Sequence, residues 1–131
     1  MKPYSAFQPL LLTLIMMFAP SFKVFAQEDE NIKDLFVEAE SYFLFEEYQD
    51  ALPLYQRILS SDPENSNINY KIGICYLNDI YQVSKSISYL EKAVKGTSPA
   101  SKTTSYKETK APPEALYFLG NAYHANNRLD E

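Results

Sequence analysis

Gly73-Ile74-Cys75-Tyr76 lies 34 residues after Ala39-Glu40-Ser41-Tyr42, and Gly120-Asn121-Ala122-Tyr123 repeats the pattern further on. A small residue three places before a tyrosine, recurring at that period, predicts stacked helix–turn–helix units. Outward from the first copy, Ile32, Leu35, Phe36, Ala39, Tyr42 and Phe43 recur at spacings of three and four. That puts one apolar stripe on a helix over 31–45. Glu46-Glu47-Tyr48-Gln49 reads as a turn, and Asp50 as an N-cap for a second helix over 51–60 carrying Ala51, Leu54, Tyr55 and Ile58. Pro53 then falls in the first turn, where a missing N–H is harmless, and Asp62-Pro63 ends the pair.

The second pair follows the same plan. Ile72, Gly73, Tyr76 and Leu77 mark a helix over 69–78, and Ser86, Ile87, Leu90, Ala93 and Val94 one over 83–94. A third first-helix starts near Pro113 with Leu116, Leu119, Gly120 and Tyr123. Ala39, Gly73 and Gly120 are expected where the two helices of a pair cross most closely, with Ala51 and Ser86 as the matching gaps. Tyr42, Tyr76 and Tyr123 fill the hollow one turn later. Burying such a ring contributes roughly 1.5–3 kcal/mol. The fold class is therefore an all-α helix–turn–helix solenoid, with repeats at about 32–65 and 66–98 and an incomplete one at 113–131.

The first 26 residues read as an address. Lys2 gives a positive start, Leu10 to Ala19 is apolar except for Thr13, and Val24-Phe25-Ala26 presents small residues before a cut ahead of Gln27. An uncleaved anchor is the rival, but a spanning helix needs roughly 20 apolar residues and Lys23 interrupts the run. Export is the expectation. Without Lys2 and Lys23 the mature chain keeps 10 basic against 17 acidic residues, a net charge of −7. That argues against nucleic acid, whose phosphates demand a basic surface. Cys75 is the single cysteine, so no internal disulfide is expected.

Positive charge is gathered in one place. The segment 96–112 is an insertion rich in Ser, Thr and Pro, and Lys95, Lys102, Lys107 and Lys110 face only Glu108 across it. This local +3 beside a −10 body reads either as a solvated loop or as a contact for an acidic partner or phosphorylated headgroups.

Taken together, these residues carry a family resemblance. The chain resembles the tetratricopeptide repeat (TPR) through Leu35, Ala39, Tyr42, Ala51, Tyr55 and Pro63 in the first repeat. Ile72, Gly73, Tyr76, Leu90 and Ala93 carry it in the second, and Ala115-Leu116-Tyr117-Phe118-Leu119-Gly120-Asn121-Ala122-Tyr123 in the third. Ile58 and Ser86 depart from the usual alanines, and the second repeat lacks its closing Asp-Pro. More finely, 69–77, Tyr89-Leu90-Glu91-Lys92-Ala93-Val94 and 110–117 are similar to the N-terminal module of exported Gram-negative envelope proteins. In those, TPRs precede a β-propeller and an OmpA-like peptidoglycan-binding domain, and some members resemble scaffolds of type IX secretion. This chain contains neither later part, so cell-wall binding does not carry over.

The resemblance implies a partner-binding groove on the first helices, formed by Phe36, Glu40 and Phe43, then Tyr70, Lys71 and Ile74, then Tyr117, Phe118, Asn121 and His124. The resemblance places Val37, Leu44, Leu77 and Asn78 in it as well. Packing of these aromatics between repeats is the competing reading. The groove implies an envelope protein as partner, with membrane association only indirect, a place in the periplasm beside the outer membrane, and no cofactor. The last residues, Arg128-Leu129-Asp130-Glu131, stop where a sixth helix would open. Truncation of a longer protein is one expectation, and a half-repeat completed by a partner helix or by self-association is the other. Catalysis and metal binding have little support, with one histidine, one cysteine and no Cys/His cluster. A regulatory module for an enzyme domain beyond residue 131, and a purely structural spacer, remain the alternative functions.

Overall fold

The computed structural model describes the backbone of residues 20–127 and the side chains of residues 31–127. The expected signal start, its apolar run up to Ala19 and the final Arg128–Glu131 lie outside the described residues. The described residues form five α-helices and no strand: α1 (Pro20–Leu44), α2 (Tyr48–Leu59), α3 (Ser66–Leu77), α4 (Ser86–Val94) and α5 (Ala115–Ala125). The chain divides into two units at Asn31, and Ile32–Glu131 is the second. The expected cut after Ala26 falls within the span of α1.

Consecutive helices run antiparallel. Near the first turn the ring of Phe43 meets Tyr48 at 5.5 Å, and farther along Phe36 meets Tyr55 at 6.4 Å, so α2 doubles back along α1. In the second pair Tyr76 stacks on Tyr89 at 5.4 Å, while Leu90 bears on Gly73. α5 then returns beside α4, with the Tyr123 hydroxyl donating to Glu91 at 2.8 Å. The first core joins Phe36 and Ala39 of α1, Ala51, Tyr55 and Ile58 of α2, and Ile68, Ile72, Cys75 and Tyr76 of α3. A second gathers Ile87, Leu90 and Ala122, and a third Ala93, Ala111 and Ala115.

Several boundaries move from the sequence expectation. The first turn is Phe45–Glu47, and Glu46 adopts a left-handed φ of 61° that reverses the chain in fewer residues. α2 therefore begins at Tyr48, Asp50 lies in its first turn rather than capping it, and Pro53 is interior. Pro53 leaves the Gln49 carbonyl without its helical partner, but both residues are exposed, so water can serve that oxygen. α3 starts three residues early because Asn65 caps it, its side chain accepting from the Ile68 N–H at 3.0 Å. The second helix of the second pair opens with a 3₁₀ turn, Val83–Lys85, before α4.

The inserted segment is a loop without helix or strand, tied to its neighbours by hydrogen bonds. The Thr109 carbonyl accepts from the N–H groups of Ser66 at 2.9 Å and Asn67 at 3.3 Å, two of the free donors at the start of α3. The Thr103 carbonyl accepts from the buried Asn67 side chain at 3.2 Å. Ala111 donates to Gly96 at 3.0 Å and accepts from Ser98 at 2.9 Å, and Tyr106 packs on the first core.

The close crossings hold at two sites and fail at the third. Ala39, Ala51 and Ser86 are fully buried, and a Cβ on Gly73 would sit 2.5 Å from Leu90 Cγ. Around Gly120 nothing lies within 4 Å, because no helix follows α5 among the described residues to cross it. Alanine at the two positions should therefore act in opposite directions. Gly73→Ala is expected to lower stability by about 1–2 kcal/mol net, overpacking outweighing the gain in helix propensity. Gly120→Ala should raise it by up to about 1 kcal/mol. Urea unfolding midpoints measure both, and matching signs would contradict the packing described.

Candidate partner-binding face

Helices α1, α3 and α5 lie side by side as a row. Between α1 and α3 the Lys71 ammonium meets Glu40 Oε1 at 2.9 Å and Oε2 at 3.1 Å, and sits 4.4 Å from the centroid of the Phe43 ring. The Tyr55 hydroxyl of α2 donates to the same carboxylate. Burial above all, and then Glu40, raises the Tyr55 phenol far above its ordinary range, so it stays a proton donor. Between α3 and α5, Tyr70 meets Phe118 edge to face at 5.8 Å, and Phe118 in turn meets Tyr117 at 5.4 Å. One junction is ionic and aromatic, the other wholly apolar.

The residues expected to form the groove are divided by this packing. Phe36, Lys71 and Ile74 are buried, the first in the core and the second locked to Glu40. Glu40, Phe43, Tyr70, Phe118 and Asn121 are half-buried, whereas Tyr117 and His124 are exposed. At one register position of successive first-helices, exposure rises from 2 % at Phe36, through half-buried Tyr70, to 67 % at Tyr117. On α5, Tyr117, Asn121 and His124 follow at four and three residues, so they share a face. Val37, Leu44 and Leu116 add exposed apolar surface.

The inserted segment adds a feature that the sequence reading missed. A cavity of about 510 Å³ lies where it meets Tyr70 of α3 and Glu114 just before α5. Hydroxyl-bearing residues and prolines complete its lining. The signal was in the sequence as Pro112-Pro113 following a Ser/Thr run, but only the fold brings those residues to Tyr70. Burial, and then the Glu114 charge, pushes the Tyr70 phenol up to about 12. The four lysines of this segment are all exposed.

Cys75 is buried in the first core, and that burial pushes its thiol up to about 12. A thiol held protonated there is a poor nucleophile. Among the described residues no group of His, Cys, Asp and Glu side chains is arranged to hold a metal ion. None of the described helices is long and apolar enough to cross a membrane. No family model, curated protein or solved structure matches the chain.

Lys71→Met should cost about 2–4 kcal/mol, the lower part of the range for a broken buried pair because Glu40 keeps some water. Adding Glu40→Gln should recover part of that loss, and a strictly additive double variant would show that the pair is not coupled. Cys75 should react with a thiol reagent at pH 8 at less than about 1 % of its rate in denaturant. Because the folded thiol binds its proton more tightly than the unfolded one, stability should fall as pH rises from about 9 towards 12.

Proposed function

We propose that this chain is a non-catalytic protein-binding scaffold, a TPR-type stack that holds a partner along the row of α1, α3 and α5. The observation that carries this reading is the graded exposure along that row, ending on the open face of Tyr117, Asn121 and His124. Exposed tyrosine beside half-buried aromatic rings is the kind of surface on which partner side chains anchor. The inert environment of Cys75 supports a binding role over a nucleophilic one. By the resemblance set out above, the scaffold works after export, in the periplasm near the outer membrane, as the amino-terminal part of a larger envelope protein.

Tyr117→Ala should weaken capture of the envelope partner by about tenfold or more, as for a hot-spot tyrosine, while far-UV circular dichroism stays unchanged. Undiminished capture would remove the groove. Export has its own readout: amino-terminal sequencing of the protein recovered from the periplasm should begin at Gln27. Recovery of the uncut chain from the cytosol alone would end the envelope assignment.

A further inference from the structure

The cavity beside Tyr70 is closed on one side by the inserted segment and lies at the end of the α3–α5 junction. Its volume of about 510 Å³ is within the range of roughly 300–1,000 Å³ typical of ligand sites. Tyr70 contributes an aromatic residue to the lining, and Pro99, Pro112 and Pro113 contribute apolar ones. Ser98, Ser101 and Thr103, all hydroxyl-bearing residues, also line it.

Glu114 sets the charge. Other carboxylates nearby are engaged: Glu40 by Lys71 and Tyr55, Glu91 by Tyr123, and Glu108 by the backbone N–H groups of Lys102 and Lys110. The Glu114 carboxylate has no hydrogen bond or ion pair among the described residues. None of the four lysines of the inserted segment reaches it. Exposed Glu114 and half-buried Tyr70 line the same cavity.

A free carboxylate beside an aromatic ring and three prolines fits a cation that is also flat. Lys102 and Lys110 stand close in sequence to lining residues and oppose a cation at long range, a repulsion that salt screens beyond about 10 Å. Recognition then depends on contact. An ammonium gains from charge alone, whereas a guanidinium also stacks on planar rings and shares two N–H groups with a carboxylate. We propose that this cavity receives an arginine side chain of the bound partner, its guanidinium on Glu114, its plane against Tyr70 and the prolines, and its remaining N–H groups on Ser98 and Thr103. The inference rests on the reading that the α1–α3–α5 row holds an extended segment, and it gives that segment a chemical requirement.

The probe is N-acetyl-arginine amide, titrated into the full chain and followed by backbone amide NMR. N-acetyl-citrulline amide, which keeps the shape and loses the charge, and N-acetyl-lysine amide are run alongside. The arginine amide should bind in roughly the millimolar range and shift the Tyr70, Ser98, Thr103 and Glu114 signals. The citrulline amide should be at least about tenfold weaker, and the lysine amide should fall between them. Glu114→Gln should weaken the arginine amide about tenfold with the remaining spectrum unchanged, and Thr103→Val should weaken it several-fold. Equal binding of the citrulline amide, shifts clustered elsewhere, or no shift at about 100 mM probe would each overturn the proposal. Tyr117→Ala lies outside the cavity and should leave arginine amide binding intact. Intact partner capture without arginine amide binding sinks the pocket alone, and the reverse result sinks the groove alone.

Discussion

The missing side chain at Gly73 lets Leu90 press directly onto the backbone of α3, and the second half of the fold is arranged around that approach. Leu90 is fully buried, so it cannot swing aside for a larger neighbour. With α4 held this close, Tyr76 can stack on Tyr89 and Ile87 can reach the layer where α5 adds Ala122. Ala39 and Ala51 make the corresponding approach in the first pair. Dense packing of this kind leaves little room for adjustment, and small residues set where the helices settle.

Joining one pair to the next uses a different chemistry at each junction. Glu40, Lys71 and Phe43 knit α1 to α3 through charge and an aromatic face, with Tyr55 reaching in from α2. Tyr70 and Phe118 knit α3 to α5 through apolar contact, with Leu77, Leu119 and Ala122 in the same cluster. A buried ion pair contributes less net stability than its contacts suggest, because both charges must leave water. Its geometric demand is strict, however, and it fixes the register between neighbouring helices. The apolar junction is more tolerant, and it is there that the apolar surface remains open at Tyr117.

The helices themselves were legible because their apolar spacing is regular, and the small residues announced two of the three crossings. What escaped the sequence was whatever depends on distant partners. The family resemblance puts Phe36, Lys71 and Ile74 in the groove, yet neighbouring helices bury them, as the competing packing reading had it for Phe36. Pro53 moved inside α2 because Glu46 shortened the preceding turn, a backbone choice with no strong residue signal. The inserted segment reads as polar and irregular because its order comes from backbone carbonyls, and carbonyls leave no trace in side-chain composition. The cavity stayed hidden for the same reason.

Thr109 supplies the carbonyl that completes the first turn of α3, although it is synthesised long after Ser66 and Asn67. Before the inserted segment docks, α3 and α4 can pair while the opening turn of α3 still has two amides bonded only to water. The inserted segment supplies the carbonyl that those amides lack. The last stretch before α5 thus acts as a latch on a helix two elements upstream, tying completion of the middle of the stack to the appearance of its end.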